Sequence, residues 1–176
     1  MEIIDISRTI SGGMEVYPGD PKVTIEVVKT IDNDGSLLSK ISMGLHTGTH
    51  MDAPAHYIKW GKTIESTKPI VEHAKIIEGK IERKDLSKGE VLLIKGRKEI
   101  TDKEAETIIE AGVAAVGIDS LSIGSDKIHK RLLSESVPII EGLDLSKAKP
   151  GKYKMICLPL KIKGAEAAPA RCILIK

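Results

Sequence analysis

Large aromatic side chains are almost missing from this chain: its 176 residues include no phenylalanine, one tryptophan and three tyrosines. The hydrophobic share is still 41%, enough to bury one sizeable core. No Ser/Gly-rich or Pro-rich linker divides the sequence, so one domain over residues 1–176 is expected. Neither sign of charge is in excess. The 27 basic and 25 acidic residues are interspersed and leave a formal net charge of +2, which gives no basic stripe for a nucleic acid. No apolar run approaches the ~18 residues of a membrane span. The opening MEIIDISRTI carries acids early and lacks a basic-then-apolar leader pattern, so a cytoplasmic protein is expected. Cys157 and Cys172 are too few for a disulfide framework. Each lies in an alternating apolar run, where a buried free thiol without chemistry is the expected state. Glutamine is absent, Asn33 is the sole asparagine, and Lys, Glu and Ile abound, the compositional direction of thermophile proteins.

What is present is concentrated in one stretch. HTGTHMDAPAH, residues 46–56, holds three of the five histidines and an aspartate. His46, His50, Asp52 and His56 offer imidazole and carboxylate ligands that suit zinc, manganese or divalent iron. One such histidine would ordinarily be a core or surface residue satisfied by hydrogen bonds, but four ligand-type residues together point to a metal or to catalysis. Gly48 and the β-branched Thr47 and Thr49 argue against a helix carrying His46 and His50, so a strand end or tight loop is expected. Upstream, Ile41, Met43 and Leu45 alternate with Ser42, Gly44 and His46, which predicts a strand running into the motif with His46 opposite its apolar face. Pro54 can open a helix that carries His56 in its first turn.

Around this stretch the patterning predicts mostly strands. Val23, Ile25 and Val27 alternate as a half-buried strand before the turn at residues 32–35. Val91–Ile94 and Val113–Ile118 read as buried strands, parallel through a right-handed crossover. Between them, a capping box at Thr101 and Glu104 opens a helix that Gly112 closes. Asp126 starts a short helix carrying Ile128, Leu132 and Leu133, with His129 beside that stripe. Residues 153–160 and 171–175 read as strands. Asp119 either supports a histidine or caps its loop, and Arg171 either pairs structurally or holds an anionic substrate. Tyr57 and Trp60 serve equally as flat surfaces for an apolar substrate or as packing. His73 is solitary and is excluded. Glu141 among Val137, Ile139, Ile140 and Leu143 is costly to bury unless paired or metal-bound, which favours a functional role.

HTGTHMDAPAH resembles the HxGTHxDAPxH signature of the cyclase family of metal-dependent hydrolases, whose members include bacterial kynurenine formamidases and isatin hydrolases. Similarity extends to Asp5-Ile6-Ser7, Tyr17-Pro18-Gly19-Asp20, Gly117-Ile118-Asp119, residues 129–142, Leu158–Lys161 and Pro169-Ala170-Arg171, nearly the whole chain. The resemblance implies an α/β fold, a three-layer β/β/α arrangement like swivelling domains, with mixed parallel and antiparallel strands and few helices. It implies that His46, His50 and Asp52 ligate one metal, that Asp52, His129 and Glu141 ligate a second, and that His56 is the acid/base. It implies one or two divalent ions per subunit, zinc before manganese or iron, and a homodimer or higher homo-oligomer acting on a small molecule. Related formamidases carry a substrate-contacting tryptophan where this chain has Tyr17. The implied activity is hydrolysis of an amide-like C–N bond, as in arylformamidases. The alternatives are hydrolysis of a cyclic amide or lactone, or a non-catalytic metal-binding protein on the same fold.

Overall fold

Aliphatic and β-branched runs build the sheet, and Gly, Pro and polar clusters end them. The computed structural model describes residues 1–176. In chain order it contains β1 (Ile3–Asp5), β2 (Thr24–Lys29), α1 (Ile31–Asp34), β3 (Leu38–Ser42), β4 (His50–Asp52), β5 (Ile70–Glu78) and β6 (Val91–Lys95). There follow α2 (Asp102–Ala111), β7 (Ala115–Ile118), α3 (Asp126–Ser134), β8 (Ile139–Glu141), β9 (Gly151–Pro159) and β10 (Ala167–Ile175). The main sheet runs β1-β10-β4-β8-β7-β6-β5-β9, and β9 also pairs with β10. That last pairing closes seven strands into a barrel-like ring, with β1 attached outside it. Strands β5 to β8 are parallel neighbours and the remaining pairs are antiparallel. The fold is thus mixed α/β with few helices.

The period-2 alternation of side chains divides the apolar residues between two cores. Met51, Leu93, Ile140, Met155, Cys157 and Cys172 belong to the cluster that fills the ring. Leu92, Ile94, Val116, Ile118 and Ile139 belong to the outer cluster, packed with Ile108 of α2 and Leu132 of α3. Strands that face both cores are apolar at consecutive positions, which is why β6 and β7 read as continuous runs. Helix α2 has the predicted ends: Thr101 Oγ1 accepts from the Glu104 N–H, Glu104 reaches back to the Thr101 N–H, and Gly112 closes the helix in the left-handed region. Helix α3 buries Ile128, His129, Leu132 and Leu133 on one face.

Two expectations are corrected. The alternation at residues 23–27 is buried only at Val23, before the strand begins: β2 pairs only with β3, and every residue of both strands, Ile25 and Val27 included, is exposed. The strand predicted to carry His46 ends at Ser42, and residues 45–49 form a turn. Gly44 and Gly48 interrupt the ladder there, and Gly48 has φ 64°. Pro54–His56 forms a single 3₁₀ turn with Pro54 at its start, as expected.

Candidate metal centre

Strand register assembles the site. In β4 and β8, Met51 lies opposite Ile140 and both fill the ring, so their neighbours His50, Asp52 and Glu141 face outward beneath α3. His50 and Glu141 are direct register partners, with His50 Nε2 3.4 Å from Glu141 Oε2. His129, on the buried face of α3, places Nε2 2.9 Å from Glu141 Oε1 and 3.9 Å from Asp52 Oδ2. His46, from the turn before β4, places Nδ1 3.0 Å from Asp52 Oδ1, and His50 Nε2 lies 3.5 Å from that same oxygen. The turn is held against β8 by a close backbone approach: a Cβ on Gly142 would lie 2.1 Å from the Gly48 carbonyl oxygen. Thr49 Oγ1 adds a 2.6 Å hydrogen bond to the Gly142 carbonyl.

The donor atoms form two triads that share Asp52. His46, His50 and Asp52 form one and Asp52, His129 and Glu141 the other, with the ligand atoms of each within 4.8 Å of one another. His50 Nδ1 faces the Gly48 carbonyl at 3.0 Å and His129 Nδ1 faces the Ser125 carbonyl at 3.1 Å. A carbonyl accepts only, so Nδ1 carries the proton in each neutral ring and the Nε2 lone pair is aimed at the carboxylates. Lone pair against carboxylate is tolerable only with a cation between them. His50 Nε2, Asp52 Oδ1 and Oδ2, and His46 Nε2 are buried without a hydrogen-bond partner. These residues fit a divalent ion by number, type and aim.

The electrostatics agree. Burial alone would lower the His50 pKa, but Glu141 and Asp52 outweigh it and raise it to about 9. Burial opposes ionisation of Glu141, yet the His129 and His50 imidazoles beside it bring it down to about 2. His129 is raised in the same way, chiefly by Glu141 against its own burial. A proton on these rings balances the same carboxylates that a divalent ion would. His56 shifts the other way: burial, with the His46 and His129 imidazoles, holds it below the ordinary histidine value despite Asp52 and Glu141.

His56 stands beside the triads rather than in them, its ring 4.2 Å from that of His46 and 6.0 Å from that of His129. It lines a cavity of about 200 Å³ together with Tyr17, Asp20, Tyr57, His129 and Glu141. Tyr17 is half exposed at this cavity. The Tyr57 ring stacks on His129 at 5.1 Å, and its hydroxyl donates to Asp126 at 2.8 Å. Burial and Asp126 push that phenol up, so it stays protonated. A larger cavity of about 640 Å³ between α2 and α3 is lined mainly by charged side chains and contains none of the ligand cluster.

Three undecided residues are settled by position. Trp60 is 92% exposed with φ 64° and does not line the cavity. The Asp119 carboxylate accepts from the Gly96 N–H, so it ties down the loop after β6 and neither supports a histidine nor caps the loop that follows it. Arg171 pairs with Asp5 at the surface. His73 lies exposed on β5, outside the cluster. Sequence reasoning missed Glu166, whose Oε1 lies 3.5 Å from His46 Nε2, and Asp20 and Asp126 around the cavity. Asp20 lies in the Tyr17-Pro18-Gly19-Asp20 segment and Asp126 opens α3, so the signals there are a turn and a helix start; nothing local marks Glu166, which arrives only because Ala167 of β10 pairs with Asp52.

Comparison with known proteins decides the family. Residues 4–125 match the Cyclase family model, described as "Putative cyclase". The chain belongs to the cyclase family. The match takes in His46, His50, Asp52 and His56 and ends before His129 and Glu141. Relatives of this cyclase-family chain extend over nearly all of it. An uncharacterised protein of Methanocaldococcus jannaschii is 38% identical, covering 99% of this chain and all of its own length. The kynurenine formamidase of Salinibacter ruber is 31% identical over 99% of this chain and 97% of its own. A solved structure described as a potential metal-dependent hydrolase with cyclase activity superposes with TM-score 0.85 at 30% identity, covering 98% and 96% of the two chains. Isatin hydrolase A from Ralstonia solanacearum shares the fold, with TM-score 0.82 at 18% identity over 99% and 92%.

Proposed function

We propose that this protein is a metal-dependent hydrolase that cleaves an amide-like C–N bond, with N-formyl aryl amines as the leading substrate class. The carrying observation is Asp52, whose two buried oxygens lack a hydrogen-bond partner and face different imidazoles, His46 with His50 on one side and His129 on the other. In this reading His46, His50 and Asp52 hold one divalent ion and Asp52, His129 and Glu141 a second, zinc being the first choice and manganese or iron the others. An ion bound there supplies Lewis acidity and lowers the pKa of water toward neutrality. His56, neutral at pH 7 and facing the cavity, takes the proton of the attacking water and delivers it to the leaving nitrogen. Tyr57 stays a neutral donor beside His129, and Tyr17 offers a flat surface to the aryl part of the substrate.

The same reading treats residues 1–176 as one domain. Opposite walls of the ring are its two β layers, and α2 with α3 is the third. It includes a homodimer or higher homo-oligomer, supported by the exposed apolar side chains of Ile25, Val27, Val28, Leu38 and Ile41 on β2 and β3. A free two-stranded ribbon of that character needs a covering surface.

The test is a turnover screen over N-formyl aryl amines, cyclic amides and lactones after loading with zinc, manganese or iron. Hydrolysis of a formanilide-type substrate is expected. Turnover only of cyclic amides or lactones would reassign the substrate, and a metal-loaded protein inert toward all three would make it a binding protein.

A further inference from the structure

The two cysteines lie far apart in sequence and meet inside the ring. Cys157 on β9 and Cys172 on β10 are direct partners in the antiparallel ladder, both are fully buried, and their Sγ atoms are 3.1 Å apart. The backbone of Cys172 is turned away from β9: its N–H donates to Ser7 Oγ, and its carbonyl accepts from the Ile6 N–H and the Ser7 hydroxyl. Cys157 and Cys172 are therefore a non-hydrogen-bonded pair of the ladder. Such pairs hold their Cα atoms ~4.5 Å apart, within the ~4.4–6.8 Å that a disulfide spans. Neither cysteine belongs to a group of metal-ligating side chains, so a shared metal does not account for the contact.

We propose that Cys157 and Cys172 form a cross-strand disulfide that staples β9 to β10. The pair then closes the hairpin that carries Ala167 and Pro169, the residues that pair with Asp52 and His50. Chemically, one thiolate attacks a small-molecule disulfide such as oxidised glutathione and releases one glutathione thiolate. The second cysteine then attacks the mixed disulfide and releases the other. Two protein thiols lose two protons and two electrons, and the oxidant is reduced to two thiols. The folded barrel is a poor place for this reaction, because both sulfurs are enclosed and the Cys157 contact and burial push the Cys172 thiol up. The bond accordingly forms while the hairpin is still open, and once enclosed it resists reductants.

The experiment is refolding of the full chain from guanidinium in oxidised and reduced glutathione, followed by denaturation in iodoacetamide and mass analysis. The expected result is an unalkylated chain lighter by two hydrogens, with a peptide linking Cys157 to Cys172. Its Tm is expected to fall by roughly 6–12 °C on reduction after unfolding, the loss of a loop constraint of this length. In a Cys157→Ala/Cys172→Ala variant the Tm should ignore reductant, and Cys157→Ala alone should show one alkylated thiol at Cys172. Two alkylated cysteines, or glutathione adducts on each, after oxidative refolding of the wild-type chain would overturn the proposal without depending on any variant folding.

Discussion

His50 and Glu141 face each other across β4 and β8 as register partners, with Nε2 of one 3.4 Å from Oε2 of the other. An imidazole lone pair and a carboxylate so enclosed need a positive charge between them, and that requirement generates most of what can be measured here.

Metal stoichiometry should separate the two triads. Wild-type protein reconstituted with zinc, manganese or iron should carry up to two ions per chain by elemental analysis. Asp52→Ala should lose both, since both triads use it, whereas His129→Ala should lose one and keep the other. Equal retention by Asp52→Ala and wild type would remove the shared-ligand reading.

Protons and metal should compete. In the metal-free protein His50 holds its proton up to about pH 9, so an ion binding at neutral pH must displace it. Affinity should therefore rise with pH until about 9, by up to about tenfold per pH unit for one displaced proton. Chelator competition at several pH values tests this.

The metal-free fold should have a defined pH optimum. His50 is raised from 6.5, so its contribution is complete below 6.5 and is lost as pH rises through about 9. Glu141 is lowered from 4.5, so its contribution is complete above 4.5 and is lost as pH falls through about 2. Stability from this pair should be greatest between pH 4.5 and 6.5, and urea midpoints of the metal-stripped protein should decline on both sides.

His56→Ala should keep most of its metal and lose on the order of 10²- to 10⁴-fold in kcat. The wild-type rate should rise with pH through a value below 6.5, where His56 becomes neutral, and that limb should vanish in the variant. If His56→Ala sheds its ions as fully as His50→Ala does, His56 is a ligand and the proton-transfer role is lost.

Gly142→Ala should destabilise by on the order of 2–4 kcal/mol, from a backbone collision added to conformational strain. Its Cβ would lie 2.1 Å from the Gly48 oxygen at φ 63°. Gly79→Ala is the control, with φ 85° and nothing within 4 Å. It should cost only the strain, and metal affinity should fall in Gly142→Ala alone.

What the sequence by itself determined is whatever depends on neighbours a few residues apart. The capping box at Thr101 and Glu104, the closure at Gly112, the apolar runs of β6 and β7 and the crowding of His46, His50, Asp52 and His56 are all of that kind. Local patterning also misled: the alternation at Ile25 and Val27 and at residues 41–46 looks like half-buried strands, but alternation says nothing about whether a partner layer exists. The tertiary structure alone decided that β9 meets β10 and closes the ring, that β2 and β3 stay outside it, and that Glu166, His129 and Cys157 reach their partners. Ring closure and register are set by the packing of whole strands. A one-residue slip of β8 against β4 would leave every local pattern intact and turn Glu141 into the apolar interior.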